Sequence, residues 1–167
     1  MDEEKQVIWD TRLFALAKQV GEWSSDPSRK VGSVIVGPRN DVRALGYNGL
    51  PRNVEDTSGL FERPLKYLWI EHAERNAIYS AARGGVPLVG CRMYVSWFPC
   101  ADCARAIVQV GLSEVVCVEP DWEDPVWSDH FAQSMRILNA GSIGLRFYKN
   151  TEDTSSPVKS PNSPDVL

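Results

Sequence analysis

Residues 92–109 read Arg-Met-Tyr-Val-Ser-Trp-Phe-Pro-Cys-Ala-Asp-Cys-Ala-Arg-Ala-Ile-Val-Gln. The run from Arg92 to Trp97 is rich in apolar and aromatic residues and predicts a strand. Pro99 suits the entry to a helix, because its missing N–H would be unpaired there anyway. Helical spacing predicts a helix over Cys100 to Gln109, ended by Gly111. The chain thus passes from strand to helix through a short turn that carries two cysteines.

The same alternation extends outward. Downstream, Glu114 to Val118 predicts a strand, Asp121 to Asp129 a loop with two tryptophans, Phe131 to Asn139 a helix, and Ile143 to Tyr148 a last strand. Upstream, His72 to Ala82 predicts a helix closed by Gly84 and Gly85. Asn48 to Ile70 lacks periodicity, and so long a loop in a compact domain usually has a function or flexes. Val31 to Val36 and Val42 to Tyr47 predict a hairpin turning at Arg39-Asn40-Asp41. The first helix runs from Gln6 to Ser24, with Trp9, Leu13, Leu16, Ala17, Val20 and Trp23 turned to the core. The order α-β-β-α-β-α-β-α-β predicts an α/β fold, a three-layer α/β/α sandwich around a mixed five-stranded sheet.

The chain has 167 residues, which suits one domain over residues 1–150. After Thr151, three prolines and four serines leave little to bury, so 151–167 reads as a disordered tail. Apolar residues make up 43% and charged residues 24%, enough for a sizeable core. A net charge of −4 argues against gripping a nucleic-acid backbone and against an anionic membrane surface. The polar, acidic start at Met1 to Gln6 and the lack of a long apolar run suggest a soluble, cytoplasmic protein.

Four cysteines without a secretion signal do not read as a disulfide framework. Cys91 and Cys117 lie in short apolar segments and read as buried free thiols. Cys100 and Cys103 differ: three residues apart in a first helical turn, their sulfurs share one face. A helix N-terminus favours thiolate over thiol. His72 also opens a helix. These three residues could hold one tetrahedral Zn²⁺ with the fourth position left to water, the pattern of a catalytic rather than a structural site. Glu74, two residues past His72, is placed to take a proton from that water. Each residue has a plainer reading: a redox CxxC pair, a helix-start histidine, a first-turn carboxylate suited to the helix dipole. Jointly, HxE and PCxxC each opening a helix, with one strand between, form the pattern of zinc nucleobase deaminases.

On these motifs the sequence resembles the cytidine/deoxycytidylate deaminase superfamily, and within it the deoxycytidylate (dCMP) deaminase-like branch. The matching stretches are Asp26 to Gly32 (DPSRKVG), Gly46 to Pro51 (GYNGLP), His72 to Ile78 (HAERNAI) and Pro99 to Cys103 (PCADC). The resemblance implies the cytidine deaminase-like α/β/α fold and one Zn²⁺ per chain on His72, Cys100 and Cys103. It implies Glu74 as proton shuttle, Asn48 against the sugar, and Lys30 or Arg29 facing the 5′-phosphate. Plain readings stand beside these: a turn residue for Asn48 and solvated loop charges for Lys30 and Arg29. A small-molecule nucleotide would be the substrate, and the protein would form a homo-oligomer, a dimer or a hexamer.

The implied reaction is hydrolysis of dCMP to dUMP and ammonia by zinc-activated hydroxide, Glu74 moving the protons. Residues 48–71 carry neither Cys nor His, so no second metal is expected. The stretch Glu119 to Trp127 departs from the branch; Trp122 there could stack on the base or cap its own loop. The competing functions are the same chemistry on another nucleoside, a free base or a tRNA adenosine, and a silent zinc-stabilised subunit that binds nucleotides. The tRNA reading predicts a basic face that the net charge does not favour. The silent subunit has no need of Glu74.

Overall fold

The structure, a computed structural model, describes residues 3–55, 59–125 and 127–148. Its strands are β1 (Gly32–Val36), β2 (Val42–Tyr47), β3 (Arg92–Val95), β4 (Glu114–Cys117) and β5 (Gly144–Phe147), joined in one sheet in the order β2-β1-β3-β4-β5. β1 pairs antiparallel with β2 and β3, whereas β3–β4 and β4–β5 are parallel. The hairpin turn places Asn40 at φ 64°, a left-handed conformation that asparagine tolerates. Parallel pairs need a crossover, and α4 (Ala101–Gln109) and α5 (Ser128–Ala140) supply the two required. This is the mixed sheet expected from the element order.

Both faces of the sheet are covered. Helix α1 (Glu3–Gly21) lays Leu13, Ala17 and Val20 on Val34, Val36, Tyr94 and Val116. On the other face α3 (Ala73–Gly84), α4 and α5 close over Ile35, Met93, Val95, Val115 and Cys117. Alternate residues of β1 therefore serve opposite layers, and the whole strand is buried, which explains its unbroken apolar reading. The edge of the α1 layer is tied by polar groups. The Tyr94 hydroxyl donates to Asp10 at 2.7 Å, and Arg146 of β5 bonds both Asp10 and Glu114.

Two glycines set how closely helices approach the sheet. A Cβ on Gly32 would land on the Ala17 carbonyl, and one on Gly46 would land on Ala73 O and Ala77 N. Helices α1 and α3 thus rest backbone to backbone on β1 and β2, a packing that any side chain at these positions would force apart. For α3 this contact fixes the height of its N-terminus.

The elements depart from expectation at their ends. α1 stops at Gly21, so Trp23 leaves the helical phase; it is 54% exposed and meets the edge of Tyr47 instead of the core. Phe14 takes the inward place and stacks on Tyr148. The stretch read as one long loop contains a short helix, α2 (Lys66–Trp69), none of whose residues is buried. A helix without a buried face leaves no apolar period to find. α5 begins three residues before Phe131, because its first turn lies outside the core. The tail over 151–167 lies outside the described residues.

Candidate metal centre and active site

His72 is the N-cap of α3 and Cys100 the N-cap of α4, and neither side chain caps its own helix. Both are free to turn toward the gap between the two helix starts. Cys103, in the first turn of α4, is buried. The fold brings the three together: His72 Nδ1 lies 3.4 Å from Cys100 Sγ and 3.5 Å from Cys103 Sγ, and all three donor atoms lie within 4.8 Å of one another. A tetrahedral zinc bound by nitrogen and sulfur at ordinary bond lengths has an N···S edge of about 3.6 Å. The donor set and its spacing therefore fit zinc. The two cysteines are free thiols, not joined by a disulfide.

The electrostatics favour a thiolate here. Cys100 is pulled down to about 4, chiefly by the Cys103 thiol donating to it and further by His72, against the effect of burial. Cys103 is pushed up by that same bond and by burial. His72 is raised, first by its hydrogen bond with Cys100. Metal binding at such a cluster requires the cysteines as thiolates and so releases protons.

Glu74 sits in the first turn of α3 and is only 4% exposed. Burial pushes its carboxyl up, with the charge of Cys100 adding to that shift and the charge of His72 opposing it. A carboxyl beside the donor atoms, raised toward the working range, is what proton transfer requires.

The expected substrate residues fall in three places. The Asn48 amide is committed to the protein: Nδ2 donates to Asp26 Oδ2 at 3.0 Å and to the Arg29 carbonyl at 2.8 Å, while Oδ1 accepts from Val31 N–H at 2.8 Å. Arg29 Cζ lies over the Trp97 ring, 3.8 Å from its centroid. Burial lowers its pKa, with Asp124 and Asp26 opposing that shift and Arg63 adding to it. Lys30 is ion-paired with Glu22 at 3.3 Å on the surface. Trp122 meets the edges of Phe98 and Phe147 and is 40% exposed. Phe98, directly before Pro99, is buried between Trp122, Phe131 and Phe147, which anchors the turn that carries Cys100.

Three participants escape a reading by motif alone. Trp97 follows β3 and had no visible partner. Lys66 pairs with the buried Asp26 at 2.8 Å across 40 positions of sequence. Arg75 joins Glu71 and Asp102. Only the ion pair at helical spacing, Glu71 with Arg75, had a signal in the sequence.

Fold and site together define a zinc-dependent deaminase architecture: two helix starts at one end of a mixed sheet, three soft donors, and a buried carboxylate. Residues 7–119 match the model of the cytidine and deoxycytidylate deaminase zinc-binding region, and the chain belongs to that family. It is 46% identical to an uncharacterized deaminase in the luxG 3′ region of Aliivibrio fischeri, over 66% of this chain and 73% of that one. It is 32% identical to deoxycytidylate deaminase of Homo sapiens, over 83% and 78% of the two chains. Among solved structures, dCMP deaminase from the cyanophage S-TIM5 superimposes with a TM-score of 0.67 at 21% identity, covering 87% of this chain and 98% of that one. The likeness to that structure is one of fold. Among the described residues no helix is long and apolar enough to cross a membrane.

Proposed function

We propose that this protein hydrolyses dCMP to dUMP and ammonia, with His72, Cys100 and Cys103 holding one zinc and Glu74 moving the protons. The observation that carries the reading is the buried Glu74 carboxyl in the first turn of α3, two residues from His72, beside a donor cluster whose spacing fits zinc. Zinc bound there would supply the Lewis acidity that brings the pKa of water from 15.7 to about 7. Glu74 accepts the proton released by that water and passes it to N3 of the cytosine ring. It then takes the remaining proton from the oxygen added at C4 and delivers it to the exocyclic nitrogen. Oxygen from water ends on C4, and the amine leaves as ammonia.

The named relatives support the cytosine nucleotide as substrate: the human protein is a deoxycytidylate deaminase, and the cyanophage enzyme was crystallised with dCMP and dUMP. Arg29 supports the 5′-phosphate. A guanidinium packed on an aromatic ring can still direct N–H donors to an anion, and Arg63 adds positive charge nearby. Lys30, spent on Glu22, is the weaker candidate. Asn48 acts by shaping the loop that carries Arg29, with one Oδ1 lone pair left for a sugar hydroxyl. Trp122 has an exposed part that could reach a base, although its contacts within the protein hold the Phe98 turn.

The working unit in this reading is one domain over residues 1–150, in the cytoplasm, assembled as a homo-oligomer. Exposed aromatic side chains at Trp23, Tyr47, Tyr67 and Trp69 are consistent with assembly. Ammonia release measured across dCMP, CMP, cytidine, deoxycytidine, adenosine and guanine tests the substrate. Highest kcat/KM on dCMP is expected, and activity confined to a purine would overturn the assignment.

A further inference from the structure

Arg75 connects the two helices that carry the metal donors. Its Nε bonds Glu71 Oε1, and its Nη1 reaches Asp102 Oδ2 at 3.5 Å. Both ends of this connection touch the site's own framework. Glu71 Oε1 also accepts the backbone N–H of His72 at 3.1 Å, so the group held by Arg75 holds the backbone of the first donor. Asp102 lies between Cys100 and Cys103 in sequence, in the first turn of α4. Glu71 is fixed in turn by paired backbone bonds with Gly49, at 3.0 and 2.8 Å, next to the Asn48 hub.

A single ion pair, here between Glu71 just ahead of α3 and Arg75 within it, contributes little by itself. This one differs because the same guanidinium continues to the neighbouring helix. Arg75 and Glu71 are mostly withdrawn from solvent, with side chains 21% and 23% exposed. A planar fork of donors can address two carboxylates at once, which a lysine ammonium on its flexible stem does less rigidly.

We propose that Arg75 is a positioning residue of the metal centre, strapping α3 to α4 so that His72 meets Cys100 and Cys103 before any metal arrives. The proposal rests on the zinc reading of those donors. Fixing two sulfurs and an imidazole at the separation a metal requires costs conformational entropy, and a strap outside the donor set offsets that cost in advance. Supporting groups beyond the ligands typically govern metal affinity in this way, by holding ligands at their bound separation.

The strap and a purely electrostatic role predict opposite signs. If Arg75 acted only as a nearby cation, removing it would make the sulfurs better donors and tighten zinc. If it acts as a strap, removing it loosens the donors and weakens zinc.

The experiment is competition for Zn²⁺ between the full-length apoprotein and a chromophoric chelator, for wild type, Arg75→Ala, Arg75→Lys and Asp102→Asn. The thiolate-to-metal absorption of the Co²⁺ forms and the melting temperatures of the apoproteins are recorded alongside. Zinc affinity is expected to fall about tenfold to a hundredfold in Arg75→Ala. Partial recovery is expected in Arg75→Lys, a fall in the same direction in Asp102→Asn, and a weakened Co²⁺ thiolate band in Arg75→Ala. Unchanged or tighter zinc binding in both Arg75 variants, with wild type binding one metal, would overturn the strap and leave the zinc site standing. Wild type giving no thiolate band would overturn the site reading and the strap with it.

Discussion

Asn48 donates through its amide to Asp26 at 3.0 Å, and the other oxygen of the same carboxylate accepts from Lys66 at 2.8 Å. Asp26 is 2% exposed and Asn48 7% exposed. One buried carboxylate thus joins the loop after α1, the end of β2 and the short helix α2. These three segments border the loop that presents Arg29.

Asn48 is expected to matter for stability before it matters for binding. Asn48→Ala removes three hydrogen bonds and leaves buried partners unpaired, a loss of about 3 kcal/mol at ordinary values. Urea unfolding of the metal-loaded protein measures it. A variant as stable as wild type would return Asn48 to a role in substrate contact alone.

Acid should weaken the fold through the buried Asp26 and the half-buried Asp10. Burial raises Asp26, but the hydrogen bond from Lys66 and the backbone N–H groups of Ser28 and Arg29 outweigh it, leaving its pKa below 3.8. Asp10 is likewise lowered: Arg146, Tyr94 and Gln6 together outweigh its burial. A carboxylate depressed by folding contributes stability that is complete above its unfolded pKa and is lost as pH falls through the folded one. Melting temperature followed from pH 7 downward should therefore hold with respect to these two groups until about pH 4 and then drop. In Asp26→Asn the protein should be less stable at neutral pH, and the drop should be shallower.

Glu74→Gln keeps the shape of the side chain and removes its capacity to carry a proton. Zinc should remain at one per chain by metal analysis, while kcat falls by about a hundredfold to ten-thousandfold. Turnover at the wild-type rate would take Glu74 out of the mechanism.

Arg29→Gln separates phosphate recognition from base chemistry. Loss of a charge-assisted contact should raise KM for dCMP roughly tenfold to a hundredfold, with little change for deoxycytidine, which has no phosphate. Equal losses on both substrates would point to the packing of Arg29 on Trp97 instead.

The donors could be read from the chain because their chemistry is local. His72 and Cys100 cap helices, Cys103 follows at one turn, and spacing alone puts the two sulfurs on one face. The strands of the hairpin could be read for the same reason, from short apolar runs around a turn that Asn40 permits. Trp23 could not: its spacing continues the helical pattern, but the helix ends two residues before it and the ring is turned outward. α2 was equally hidden, since all four of its residues lie outside the core.

The amino-acid order by itself determined the layers, the donor types and the carboxylate beside them, since periodicity and capping act over one or two turns of chain. Folding in three dimensions decided the commitments of the polar side chains: Asn48 to Asp26, Lys66 across to that same carboxylate, Arg29 onto Trp97, and Arg75 from one ligand helix to the other. Those partners lie 22 to 68 positions apart, the Arg75 and Asp102 pair at 27 among them. Hydrogen bonds and ion pairs over such spans depend on where the sheet and its crossovers return the chain, and no local pattern of residues records that.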